Sequence, residues 1–360
     1  MATMPTSVQL ESAPARTAPR AVQKKKLLRR RVKDHSQALR LALQAAFLLL
    51  NAVIGVKFFL FVRYFESGGG TARIPRPPGV DGWLPIGGMM NLKYFLFTGE
   101  FPRVHPAAMF LLVAFLLISI LFRKAFCGWL CPVGTFIEGL WKLGRKFLKT
   151  NWRLPRWLDI PLRGLKYVLL ALFVYAVAGM SIEGIRAFLG SPYGVVADVE
   201  MLNFFRFMGA TAAITLGVLI LLSMLIKNFW CRYLCPYGAL LGLGALASPS
   251  RIRRTPDRCI DCAKCAVACP ALLPVDKLIT IKSAECTACM ECVAACPAEG
   301  ALQMSLPGRR KLPAWGLAAG VAAIFLGVVL LARLNGAWQT DVPDAVYFQL
   351  VPRAMEFIHP

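Results

Sequence analysis

The chain is 360 residues long, 57% of them hydrophobic and only 17% charged, with a mean hydropathy of +0.56. Two water-soluble domains of that combined length would carry more charge, so an ordinary soluble fold is excluded. The formal net charge of +23 is read as membrane orientation and attraction to anionic headgroups, and no nucleic-acid partner is inferred from it.

Residues 1–38 open with a Pro/Ala/Ser/Thr-rich stretch and continue as KKKLLRRRVK, a disordered basic cytoplasmic segment by expectation. No short apolar core with a cleavage site stands before Leu41. Nearly charge-free runs follow at 41–62, 106–122, 165–182, 208–226 and 313–332. About 20 such residues cross a bilayer core, so five transmembrane helices are predicted. Lys57 is the one ionisable residue read as lying well inside a run, near an end where it can snorkel.

Lysine and arginine are divided unevenly between the connecting segments. Segments 1–38, 123–163 and 227–312 hold 9, 9 and 12; segments 63–105, 183–206 and 335–360 hold 5, 2 and 1. This asymmetry predicts a cytoplasmic N-terminus and a periplasmic C-terminus. The segments 83–105 and 191–205 then lie on the outer face. Their Trp83, Tyr94, Phe95, Phe204 and Phe205, beside Glu100, Asp198 and Glu200, would suit an amphiphilic quinol headgroup.

Two apolar runs end in nearly the same words, FCGWLCPVG at 126–134 and WCRYLCPYG at 230–238. Cys127 and Cys131, like Cys231 and Cys235, are four residues apart, so on helical backbone each pair would share one face. Pro132 and Pro236 disfavour helix at the preceding residue and predict a helix end there. Pro85 and Pro192 stand 42 and 39 residues before the first cysteine of each pair. The halves thus read as a duplicated unit with pseudo-twofold symmetry. Packed face to face, the four thiols would converge. Three readings stay open for them: a metal or additional cluster, a redox-active or copper-handling thiol set, and packing cysteines.

The other eight cysteines read CIDCAKCAVACP at 259–270 and CTACMECVAACP at 286–297. This duplicated C-x2-C-x2-C-x3-C-P is the bacterial two-cluster ferredoxin spacing, in which the fourth cysteine of each copy ligates the other cluster. The predicted ligands are Cys259, Cys262, Cys265 and Cys296 for one [4Fe–4S] cluster, and Cys286, Cys289, Cys292 and Cys269 for its partner. A cytoplasmic location disfavours disulfides. The histidines are His35, His105 and His359, none of them mid-membrane, so a bis-histidine haem within the bundle is excluded by inventory.

The predicted fold is therefore an α-helical integral membrane protein with about five transmembrane helices in an internally duplicated bundle. A cytoplasmic ferredoxin-type α+β domain carries two [4Fe–4S] clusters. Its parts are residues 1–38, a membrane domain at 39–250, the ferredoxin-like domain at 251–308, a fifth helix at 309–334 and a periplasmic tail at 335–360.

With CGWLCP, CRYLCP and the two ferredoxin repeats in this order, the chain resembles the NapH/NosR/CcoG group of membrane polyferredoxins over roughly residues 40–332. It is nearest the NapH-like core. It lacks room for the flavin-binding domain of NosR-type proteins. After the last span it has about 26 residues, where CcoG-type proteins carry a domain. The resemblance implies a quinol-dehydrogenase component of the bacterial inner membrane, passing electrons between the quinone pool and respiratory redox subunits. The alternative is a CcoG-like copper-reducing or oxidase-assembly factor that uses the four CxxxCP thiols. A docking scaffold without its own substrate site is a third reading.

Overall fold

A computed structural model describes residue 30 and residues 34–357. Most of the basic N-terminal segment, together with His359, lies outside the described residues. The first half runs α1 (Ser36–Glu66), a 3-10 turn at Pro78–Trp83, α2 (Pro85–Thr98), α3 (Pro106–Phe122), α4 (Ala125–Trp129), α5 (Pro132–Leu148) and α6 (Arg156–Gly179). The second half runs α7 (Ile182–Gly190), α8 (Pro192–Val195), α9 (Ala197–Arg206), α10 (Ala210–Leu225), a π-helical turn at Trp230–Leu234 and α11 (Pro236–Leu246). Pro85 and Pro192, noted above for their parallel spacing, each open a helix at its first position.

Three helices, α1, α6 and α14 (Ala314–Leu334), are each long and apolar enough to cross a membrane. The run at 208–226 gives α10, which reaches that length only together with α9, from which it is bent by 82°. The run at 106–122 gives α3, 17 residues long. At 1.5 Å per residue α3 spans about 26 Å, short of a hydrocarbon core of about 30 Å. Its residues from Pro106 to Leu112 are buried, and it packs on α2, α11 and α14. A helix sheathed by protein has less need to match the lipid thickness by itself.

The packing between the halves is crossed. The helix after the second cysteine pair, α11, lies against α3 of the first half, and α5, after the first pair, lies against α10 of the second. Gly144 makes the second contact feasible, because a Cβ there would stand 2.0 Å from the Met224 carbonyl oxygen. Ser119 on α3 and Ser223 on α10, 104 positions apart like the cysteine pairs, are both fully buried.

Beyond α11 the chain makes a small ferredoxin-like unit. Strands β1 (Arg251–Arg254) and β2 (Leu302–Ser305) pair antiparallel, Arg251 opposite Ser305 and Arg254 opposite Leu302. They bracket two short helices, α12 (Lys264–Ala268) and α13 (Glu291–Ala294). This unit shares one apolar core with the bundle. Ile252, Leu273, Ile281, Val293 and Met304 pack in the same cluster as Phe115, Ile118, Phe126, Trp129, Leu317 and Val321. At the opposite end α15 (Asp344–Leu350) and the following 3-10 turn fold back on α1 and α9, burying Tyr347 against Phe61 and Phe65.

Candidate redox centre

Each CxxxCP turn is wound in the same unusual way. The Cys131 amide donates to Phe126 O at 2.9 Å and the Cys235 amide to Trp230 O at 3.0 Å, five residues back in both cases. The wide turn ends the first short helix, so the two cysteines of a pair do not share a regular helix face as their spacing predicted. Cys127 lies within α4 and Cys231 within the π turn, while Cys131 and Cys235 become the N-caps of α5 and α11. Their sulfurs accept from the amides of Gly134 (3.4 Å) and Gly238 (3.2 Å). The proline after each has no N–H to satisfy at the first helical position. Two helix N-termini therefore point at the sulfurs, an arrangement that favours thiolate.

The four thiols are brought together. Burial pushes Cys231 well above the usual thiol range, and like charge on Cys235, Cys131 and Cys127 adds to it. Cys127 is raised by burial, with Lys124 opposing and Cys131 and Cys235 reinforcing. Cys131 is pushed up to about 11, by burial above all. Four converging sulfurs with this much burial and mutual repulsion are stable as thiolates only around a cation. No three of these sulfurs lie within 4.8 Å of one another, so the donor set is too widely spaced for a single tetrahedral ion and fits an iron–sulfur cluster, whose ligands stand farther apart.

Two lysines and a glutamate stand beside them. Lys166 Nζ meets Glu285 Oε1 at 2.6 Å, Lys124 Nζ lies 3.7 Å from Glu285 Oε2, and the Tyr167 hydroxyl donates to Glu285 Oε1 at 3.2 Å. Burial works against the Lys124 ammonium, yet Glu285 together with Cys127, Cys235 and Cys231 outweighs it and keeps the group above the ordinary lysine range. Lys166 is completely buried. Sequence reading singled out Lys57 and missed Lys166. The available signal was a lone charge at the edge of the 165–182 run, with its partner 119 positions away in the ferredoxin segment.

The eight ferredoxin cysteines fall into two neighbouring groups. Cys259, Cys262 and Cys265 act electrostatically on or with Cys296, and Cys289, Cys286, Cys269 and, most weakly, Cys265 act on Cys292, so the two groups adjoin. Cys296 thus stands beside the cysteines of the first copy and Cys269 beside those of the second. The groups differ in access: Cys269, Cys286, Cys289 and Cys292 are buried, whereas Cys262 is exposed and Cys259, Cys265 and Cys296 are half-buried.

Both halves of the bundle grip the buried group. From the first half, Arg123 donates to Ser283 O, Trp129 Nε1 to Ala288 O at 3.0 Å, and Gly128 packs so closely that a Cβ would sit 2.6 Å from Thr287 O. From the second, Lys227 Nζ donates to Val267 O at 3.0 Å and Arg232 to Ala271 O at 3.2 Å. Arg123 and Lys227 are 104 positions apart, like the cysteine pairs. Arg40 completes the grip, donating to Gly128 O at 2.8 Å and pairing with Glu138 and, at 3.0 Å, with Glu291.

All four CxxxCP cysteines line one cavity of about 550 Å³. It continues between α1, α3 and α14 to Lys57, Trp83, Arg333 and Trp338 at the far end of the bundle. Of the aromatic and acidic residues expected around a quinol headgroup, Trp83 lines this cavity. Tyr94 instead bonds Glu100 (2.9 Å) and Arg186 (2.7 Å), and Asp198 is bound to Arg76. His105 does not face the thiols. Its Nδ1 lies 3.0 Å from Asp81 and 2.8 Å from Arg76, and its Nε2 lies 3.1 Å from Gly194 O. Asp81, His105 and Asp198 offer atoms at metal-site spacing, but the Arg76 guanidinium lies among them as the cation.

Comparison with known proteins bears on the class of the chain. A family model described as a 4Fe-4S binding domain matches residues 104–151 and again residues 208–255, and one described as a 4Fe-4S dicluster domain matches residues 251–297. YccM of Escherichia coli K12, named for electron transport, is 50% identical over 321 residues, 88% of this chain and 90% of that one. The regulatory protein NosR of Pseudomonas aeruginosa is 30% identical over 188 residues, 46% of this chain and 24% of NosR. The ferredoxin-type protein NapH of Haemophilus influenzae is 30% identical over 174 residues, 47% of this chain and 56% of NapH. No solved structure matches.

Apolar helices, grouped thiols and these matches define a bacterial membrane iron–sulfur protein of the electron-transfer class. Within that class, the chain belongs to the NapH/NosR-type polyferredoxin family.

Proposed function

We propose that this protein passes electrons between the quinone pool and a respiratory redox partner, through three centres in series. Cys127, Cys131, Cys231 and Cys235 hold an additional cluster at the membrane surface. Cys269, Cys286, Cys289 and Cys292 hold the inner [4Fe–4S] cluster, and Cys259, Cys262, Cys265 and Cys296 the outer one, where a redox subunit can approach. The observation that carries the reading is the double grip on the inner thiol group. Gly128, next to Cys127, abuts Thr287, next to Cys286, so the four-thiol site and the inner group are neighbours. A quinol gives up two electrons and two protons, while iron–sulfur clusters take electrons singly, which suits a chain of one-electron stations.

The reading is tested by anaerobic purification and titration with a quinol. About eight irons are expected from the ferredoxin-like unit alone, and both its clusters should be reduced by quinol in lipid membranes. Stoichiometric zinc with iron and sulfide near zero would sink it.

The same proposal puts the chain in the inner membrane among its lipids. It has five spans, counting α3 and the bent α9–α10 pair, with the ferredoxin-like unit cytoplasmic and the C-terminus periplasmic. Two matches of one family model, displaced by 104 positions, support the duplicated arrangement. Reporter fusions after residues 250 and 305 are expected to report from the cytoplasm, and one at the C-terminus from the periplasm. A periplasmic signal from residue 305 would invert the path.

A further inference from the structure

The cavity beside the four thiols has the form of a ligand site. Its volume of about 550 Å³, of which the centre held by the four cysteines would take the thiol end, lies in the range of small-molecule pockets. Its middle is walled by Phe47, Leu50, Ile54, Phe115, Phe325 and Val329, and its ferredoxin end by the four cysteines, Lys124, Glu285 and Tyr237. An occupant must therefore be long and apolar with one polar end.

Tyr237 is where the internal repeat breaks. Its counterpart 104 positions earlier is Val133, and both line the cavity. Phe115 and Phe126 hold the Tyr237 ring edge-on, with centroids 6.3 and 6.4 Å away. Its hydroxyl makes no hydrogen bond among the described residues. The ring accounts for this packing, which phenylalanine would supply as well, so the hydroxyl is what remains, and it offers a hydrogen bond to a polar ring beside the thiols.

We propose that this cavity binds a lipid-soluble quinone or quinol, its ring against Tyr237 at the thiol end and its tail between α1 and α14. This site rests on the quinone-pool reading and gives that substrate its place. A phospholipid acyl chain could fill the apolar middle, yet it has no ring oxygen for Tyr237. A ring in this position touches the surroundings of the redox centre directly. Quinone oxygens accept from the phenol, and quinol hydroxyls can also donate to it.

The test uses the full-length protein in lipid nanodiscs with a photoactivatable short-chain ubiquinone analogue. Crosslinks are expected on α1, α14 and the Tyr237 segment. Tyr237→Phe keeps the ring and is expected to weaken binding about three- to tenfold through loss of one hydrogen bond. Val329→Trp fills the cavity and should abolish labelling, with iron content unchanged in both variants. Labelling elsewhere, wild-type affinity in both variants, or recovery of bound phospholipid that the analogue fails to displace would overturn the site. If quinol reduces the clusters of Val329→Trp at the wild-type rate, the site fails and the electron-transfer reading stands. If the analogue labels the cavity but quinol leaves the wild-type clusters oxidised, the site stands and that reading fails.

Discussion

Serine in place of any one of Cys127, Cys131, Cys231 or Cys235 is expected to lower quinol-dependent reduction of the ferredoxin clusters by more than about 100-fold. The scale follows from metal sites, where loss of an outer-shell partner alone costs about 10- to 100-fold, and a ligand should cost more. Each half of the bundle supplies two sulfurs, and neither pair completes a cluster site by itself. The four substitutions should therefore be strongly non-additive, each single variant nearly matching the quadruple one. Dithionite reduction and the spectra of both ferredoxin clusters should persist, because their eight cysteines form separate groups. Four small, additive losses would identify packing cysteines. Loss confined to copper reduction, with quinol oxidation intact, would favour the metal-handling alternative.

The parts of this molecule that the sequence disclosed are those set by local spacing. Twelve cysteines in three patterned sets were legible from their intervals, and those intervals are what the cluster and metal assignments are proposed from. The expected exchange of Cys269 and Cys296 between ferredoxin copies follows from the same intervals. Apolar runs were legible as helices, but their lengths were not. Composition alone does not reveal that α9 and α10 are bent by 82° or that α3 is enclosed by protein. The turn between paired cysteines was misread for a related reason: a four-residue spacing suggests a regular helix, whereas the five-residue hydrogen bonds appear only in the backbone.

Long-range pairings were the least visible. Lys166 finds Glu285, and Arg40 finds Glu138 and Glu291, across 119, 98 and 251 positions. No periodicity announces such partners. The identity of Tyr237 against Val133 could have been noticed by laying one repeat on the other. Its meaning depends on a cavity that forms only when α1 and α14 pack beside the duplicated core.

Replacing Arg76 by alanine is expected to cost about 3–5 kcal/mol of stability, the range for removing one partner from a buried charge pair. Asp81 and Asp198 are essentially inaccessible to solvent. Arg76 binds both, its Nε 2.8 Å from Asp198 Oδ2, and it reaches Thr340 at 3.1 Å. It thereby ties the Pro78–Trp83 turn to α9 and to the C-terminal segment, and that turn forms part of the cavity wall at the end remote from the thiols. Lysine would restore a charge without the guanidinium fork that engages two carboxylates and a hydroxyl together, so partial rescue is expected. Burial pushes Asp81 up, but Arg76 and His105 outweigh it and hold its carboxyl below the ordinary value of 3.8. A depressed carboxylate contributes stability above that value and loses it as the pH falls through the lower folded-state value. The wild-type contribution should therefore be flat between about pH 7 and 5. Without Arg76, only His105 remains to oppose burial, and the folded-state value of Asp81 is expected to rise above 3.8. Acidification over the same interval should then stabilise the Arg76→Ala protein relative to its own stability at pH 7. Thermal unfolding in nanodiscs at both pH values reads this difference between wild type and variant. A variant as stable as wild type, or one whose stability is as flat between these pH values as that of wild type, would show that Arg76 does not neutralise these carboxylates.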